Sequence, residues 1–135
     1  VEKTYFSPRS SGERKRVMPV LIEVNLSGEA SKYGWEASDE DLWPRILPQF
    51  REISQKPNIE VQGLMTMPPM YDDPELTRPI YRRIRRFQRF LQEKIPDAQW
   101  DTLSIGTSFD FEVAIEEGAT MVRIGTAIFG PRTRT

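Results

Sequence analysis

Among its 135 residues the chain has no cysteine and no histidine. The first absence excludes disulfides, thiolate nucleophiles and thiolate-bound metal, and the second removes the commonest general base and metal ligand. A zinc enzyme or a Ser-His-Asp hydrolase does not fit this composition. Charge of one sign is lacking too: 19 basic side chains stand against 20 acidic ones, for a net charge of −1. No global field draws such a chain to nucleic acid or to a membrane surface, so any basic site must be local. No apolar run approaches the roughly 20 residues needed to cross a bilayer. The opening stretch is polar rather than signal-like, so a cytoplasmic protein is expected.

Residues 1–17 hold Ser, Pro, Gly and charge, with Val1, Tyr5 and Phe6 as the sizeable apolar side chains of the first sixteen. They read as a flexible leader or a truncation scar, and residues 18–135 as the domain proper. From Met18 the pattern becomes a rhythm of short apolar runs and longer amphipathic stretches, the signature of βα units. Val20–Leu26, Ile59–Met67, Thr102–Ile105 and Thr120–Ile124 read as strands. The first is nearly continuous in branched apolar residues, as expected of a parallel strand covered on both faces.

Ile80, Ile84, Phe87 and Leu91 recur at helical spacing, widened by Tyr81 and Phe90, which predicts an amphipathic helix over Pro79–Ile95. Residues 38–54 place Leu42, Ile46, Phe50 and Ile53 on one face and offer Ser38-x-x-Asp41 as a capping box. Pro44 and Pro48 interrupt that stretch, so a short turn followed by a restarted helix is expected. A last short helix fits Phe109–Glu117, with Thr107 or Ser108 as N-cap and Gly118 as the residue after its end.

About four βα units make an α/β fold that is half of a (β/α)₈ barrel, with the N-terminal strands missing and two open edges. A small open three-layer sheet competes with this architecture on periodicity alone. The last two strands are each followed by a glycine turn, Ser104-Ile-Gly-Thr-Ser108 and Arg123-Ile-Gly-Thr126. In a barrel the loops after the final strands often hold phosphate, because amide N–H groups at a helix start and a glycine backbone can approach an anion closely. Ser108, Gly125 and Thr126 are therefore candidate ligands, although ordinary strand-to-helix turns have the same look. Arg123 interrupts an apolar strand and shares a face with Met121 and Gly125. It either meets a ligand or makes a structural ion pair with a carboxylate such as Glu23.

Pro19–Glu29, Ser31-Lys-Tyr-Gly34, Gly63-Leu-Met-Thr-Met-Pro68, Leu103-Ser-Ile-Gly-Thr-Ser-Phe-Asp-Phe-Glu112 and Val122-Arg-Ile-Gly-Thr-Ala-Ile-Phe-Gly130 resemble, in order and spacing, the pyridoxal phosphate homeostasis proteins. These are single-domain relatives of the alanine racemase barrel. The resemblance implies a non-catalytic carrier that holds pyridoxal 5'-phosphate (PLP) and buffers its supply to PLP-dependent enzymes. It implies that Ser108, Gly125 and Thr126 bind the cofactor phosphate and that Arg123 lies against the pyridine nitrogen, where a cation weakens the electron sink. The family's Schiff-base lysine lies on its first strand, and none of Lys3, Lys15, Lys32, Lys56 and Lys94 matches it. Binding by this chain is expected to be weak and non-covalent, with self-association through the open edges.

Two other functions compete. A racemase or decarboxylase of the same barrel class needs that lysine and a second base, and Asp110 and Glu112, two apart, point to different faces of a helix. A nucleic-acid-binding module could use Arg78, Arg82, Arg83, Arg85, Arg86 and Arg89, six arginines within twelve residues. The plainer reading is a solvated outer face of a barrel helix, since no aromatic platform is interleaved. Met65, Met67 and Met70 read as core and loop packing rather than a metal box, and Trp35, Trp43 and Trp100 as packing. Asn25 either touches a ligand at the barrel mouth or bonds a neighbouring loop.

Overall fold

The computed structural model describes residues 16–30 and 33–133; most of the expected leader, and Ser31 and Lys32 of the resemblance motifs, lie outside them. Five parallel strands form one sheet in the order β2-β1-β3-β4-β5, with β1 at Met18–Asn25, β2 at Trp35–Glu36, β3 at Ile59–Met65, β4 at Thr102–Thr107 and β5 at Met121–Arg123. The connecting helices are α1 (Trp43–Ser54), α2 (Arg78–Lys94) and α3 (Phe111–Glu116), and a single turn, α4 (Thr126–Phe129), follows β5. From β1 through β3 and β4 to β5 each new strand is added on the same side of the last. Right-handed crossovers in one direction put every helix on one face of the sheet. The helices accordingly touch in sequence, α1 on α2 and α2 on α3. This is the winding of a (β/α) barrel segment, and the three-layer alternative, which needs helices on both faces, is not realised among the described residues.

One face of the sheet is therefore covered. Ile22, Val24, Val61, Leu64, Leu103 and Ile105 lie buried beneath the helices. The other face carries Leu21, Glu23 and Met65, half-buried, and Met121, half exposed. The expectation that the first strand is covered on both faces is thus corrected: its apolar continuity supplies the helix layer with Ile22 and Val24 and leaves Leu21 on the open side. Under the helices Trp43, Phe50, Phe87 and Trp100 form an aromatic layer, with Trp43 and Phe87 centroids 5.0 Å apart and Phe50 and Phe87 edge to face at 5.5 Å. The indole N–H groups of Trp43 and Trp100 donate to the carbonyls of Ala37 and Ile95, so neither is left unpaired in the core.

Several boundaries move for identifiable reasons. The expected interrupted helix is a 3₁₀ turn at Glu40–Leu42 running into α1. Pro44 falls in the first turn of α1, where no intrahelical N–H bond is due, and Pro48, one turn later, is tolerated inside it. The cap is Asp39, whose carboxylate accepts from the Asp41 amide, and not Ser38, which donates its hydroxyl to Glu36. Neither Thr107 nor Ser108 caps α3; Asp110 occupies the capping position. The two-residue β2 and the one-turn α4 are too short to give a periodicity. At Gly63 a bulge offsets β3 by one residue against β1, and a Cβ there would lie 1.8 Å from the Thr102 carbonyl oxygen.

Candidate phosphate-binding site

The C-terminal ends of β3, β4 and β5 meet at one end of the sheet, and the two glycine turns come together there. The Ser108 hydroxyl oxygen accepts the Gly125 amide at 3.2 Å and the Ala127 amide at 3.0 Å, which ties the loop after β4 to the start of α4. Between those two amides, the Thr126 N–H has no acceptor among the described residues. A Cβ built on Gly125 would meet nothing within 4 Å, so open space lies over this turn. Because α4 is a single turn, any attraction for an anion comes from individual N–H groups and the serine hydroxyl rather than from a summed helix dipole.

The loop after β4 is itself held from below. One Asp110 carboxylate oxygen accepts the Thr107 amide at 2.8 Å and the Thr107 hydroxyl at 3.2 Å, closing a tight turn over Ser108 and Phe109. The other oxygen accepts the Tyr81 hydroxyl at 2.5 Å, deep under α2. Burial, and then the neighbouring Asp110 carboxylate, push the Tyr81 phenol well above the ordinary tyrosine range. Gly106, at φ +95°, lets α3 approach: a Cβ there would sit 2.6 Å from that of Ala114.

Arg123 does not pair with Glu23. Its guanidinium donates to the Ser104 carbonyl at 2.9 Å, the Ser104 hydroxyl at 2.6 Å and the Thr66 carbonyl at 3.0 Å, and it also meets the Met67 sulfur. Thr66 in turn donates its hydroxyl to the Val24 carbonyl at 2.7 Å. One cation thus fastens the ends of β3, β4 and β5 to one another, with β1 reached through Thr66. Asn25, at the end of β1, is a loop organiser: its amide donates to the Glu29 carbonyl and its oxygen accepts from Ser27.

Sequence reasoning passed over the roles of Tyr81 and Thr107. Tyr81 was placed in the apolar stripe, yet a buried phenol needs a hydrogen-bond partner, and Thr107-x-x-Asp110 is the spacing of a side-chain-closed turn. Asp110, expected in a helix-end role, is buried and saturated, while Glu112 is exposed, so the two form no acid/base pair. Lys56 and Lys94 both sit at the opposite end of the sheet from this site, before β3 and at the end of α2. Met67 and Met70 are exposed, which corrects the expectation that they pack.

Arg78, Arg82 and Arg86 of α2 meet carboxylates, whereas Arg85 donates to the Gln88 side chain and Arg83 to the Leu26 carbonyl. Arg78 binds Glu75, Glu116 and Glu117; Arg82 binds Glu117; Arg86 binds Glu40 at 2.5 Å. The pairing of Arg78, Arg82 and Arg86 with carboxylates suits a solvated helix face better than a track for a phosphate backbone.

The family model for the alanine racemase N-terminal domain matches residues 8–133. This chain belongs to that family. Among alanine racemase N-terminal domain relatives, it is 47% identical over 117 residues to a pyridoxal phosphate homeostasis protein of Aquifex aeolicus, covering 86% of this chain and 48% of the relative. A protein of the same name from Vibrio cholerae is 42% identical over 136 residues, covering 98% of this chain and 54% of the relative. PipY of Synechococcus elongatus, solved with PLP bound, superposes with a TM-score of 0.71 at 33% identity, covering 85% of this chain and 50% of that one. The chain spans about half the length of the curated relatives it matches. Among the described residues no helix is long and apolar enough to cross a membrane.

Proposed function

We propose that this chain provides the phosphate-holding end of a PLP site in a protein of intracellular PLP homeostasis, and that it carries the cofactor without turning anything over. The observation that carries this reading is the meeting of Ser108 with the Gly125 and Ala127 amides at the end of the sheet, under open space. A phosphate needs several donors converging from fixed backbone, and this turn offers the serine hydroxyl and the Thr126 amide on a braced loop. The site residues are Ser108, Gly125 and Thr126 for the phosphate, with Arg123 beside the ring.

The PLP-bound relative and the names of the homologues favour PLP over other phosphate esters. Bound PLP supplies an electrophilic aldehyde, which a carrier keeps from stray amines until an acceptor enzyme takes it. The residues of this chain hold the other end. Ser108 and the start of α4 would hold the phosphate, and Arg123, spent on Ser104 and Thr66, would form the floor and leave a cation beside the ring. No described lysine reaches this end of the sheet, so the chain alone is expected to hold PLP without a covalent bond. The open edges of the sheet suit a second copy of the chain as a further partner.

Titration of the 135-residue chain with PLP and with pyridoxal, which lacks the phosphate, tests this. PLP is expected to bind about tenfold tighter or better, the advantage vanishing in S108A, as for loss of a charge-assisted hydrogen bond with its backbone partners left unpaired. Borohydride treatment is expected to fix no cofactor mass on the chain. Equal affinity for the two ligands, or an S108A variant that keeps the preference, would sink the assignment.

A further inference from the structure

We propose that Tyr81, on the outer helix α2, is a positioning residue for the phosphate loop, acting through Asp110 on Ser108; the proposal rests on the phosphate reading above. Tyr81 is fully buried and Asp110 nearly so, and their oxygens lie 2.5 Å apart. The donors to Asp110 are the Tyr81 hydroxyl and the amide and hydroxyl of Thr107, none of them a cation. A carboxylate taken out of water depends on such donors, and it keeps its orientation only while each oxygen has one. With one oxygen fixed by the phenol, the other is turned to Thr107, and the turn it closes carries Ser108 to within 3.2 Å of the Gly125 amide.

The hydroxyl is surplus to the packing of α2. Ile80, Ile84, Phe87 and Leu91 make the buried stripe without a polar atom, and phenylalanine would fill the Tyr81 volume. What the hydroxyl adds is a donor that stays protonated, because burial and the adjacent carboxylate both oppose its ionisation. Removing it leaves one Asp110 oxygen buried without its donor. The carboxylate is then free to swing off Thr107, and Ser108 loses its fixed place against α4. The site therefore extends to a side chain of the outer helix that has no exposed surface of its own.

The test uses the full chain and the variants Y81F, S108A, Y81F/S108A, D110N and T107V, titrated with PLP and with inorganic phosphate. Thermal unfolding and amide exchange at Gly125 and Ala127 are followed alongside. Y81F is expected to fold, to bind both ligands about threefold to tenfold more weakly, and to exchange those two amides faster. D110N, which can keep an oxygen for Thr107 only by turning an N–H toward the phenol and so leaves the buried Tyr81 proton without an acceptor, is expected to weaken binding at least as much as Y81F, and wild-type affinity in D110N would overturn the chain of contacts. In the S108A background Y81F should have little further effect on binding, as for residues acting in one chain. Wild-type affinity and exchange in Y81F, with binding lost in S108A, would overturn the role of Tyr81 and leave the phosphate site standing. A Y81F effect as large without Ser108 as with it would overturn it too. If the unsubstituted chain binds neither ligand, or S108A binds as well as it does, the phosphate reading itself fails and takes this inference with it. Should Y81F not fold, T107V carries the same decision: weaker phosphate binding supports the chain of contacts, and unchanged binding overturns it.

Discussion

At the scale of single residues, the two glycines that bend the sheet differ in kind from the glycine at the site. Gly125 faces open space, whereas Gly63 and Gly106 lie where a Cβ would strike Thr102 and Ala114. Gly106→Ala is expected to lower stability by about 1–3 kcal/mol, from the positive φ and the displaced helix together. Urea unfolding reads this directly, and a midpoint within error of the wild type would show that α3 does not need the close approach. The candidate ligands Ser108, Gly125 and Thr126 were legible because glycine turns after late strands have a stated chemistry. Arg123 was legible as a cation needing a partner, but not which one. Carbonyls at strand ends are as good an acceptor as Glu23, and a sequence does not show which strands end together. Asp110 was hidden for the same reason: its phenol donor is 29 residues away.

Among the elements, α2 was readable almost to the residue, since an apolar stripe flanked by arginine has one helical solution. Its polar face was not, because the carboxylates that meet it come from the 3₁₀ turns before it and before α1, and from α3. Arg78 holds the Glu75 and Glu117 carboxyls below the ordinary glutamate value of 4.5. A depressed folded pKa means that the stabilisation is complete above that value and is lost as the pH falls through the folded pKa. Acid unfolding is therefore expected to steepen below about pH 4.5. Arg78→Ala should flatten that limb while changing little between pH 6 and 8 beyond a constant offset. Circular dichroism across the acid range checks it, and an unchanged acid limb in the variant would mean that these exposed pairs carry no stability. The proline-broken reading of residues 38–54 was half right: the turn and the restarted helix are there, and Pro44 marks the restart instead of interrupting it.

On the scale of the whole molecule, four strands added in one direction with helices on one face make a layer that is finished on one side only. Among the described residues β1 pairs beyond β3 with the two residues of β2 alone, so the stretch Val20–Ile22 keeps a free edge beside an open groove of about 520 Å³ lined by Leu21, Trp35 and Ile53. Free parallel edges recruit strands. The chain is expected to scatter light above its 15.7 kDa monomer mass in a concentration-dependent way, and Leu21→Lys should lower that association without unfolding it. A monomer at every concentration would exclude pairing through this edge. The barrel class was legible from strand spacing and the resemblance; the bare inner face was not, because apolar residues alternate along β1 whether or not anything covers them.

The serine that joins the two loops has both lone pairs filled by backbone amides. Its proton is left as a free donor on the open side, so under the proposed phosphate reading the turn would hold a fully charged oxygen more strongly than a protonated one. A phosphate monoester sheds its second proton near pH 6. Affinity should therefore climb as the ligand passes from monoanion to dianion between about pH 5 and 7, and a flat calorimetric profile over that interval would show the proton turned elsewhere.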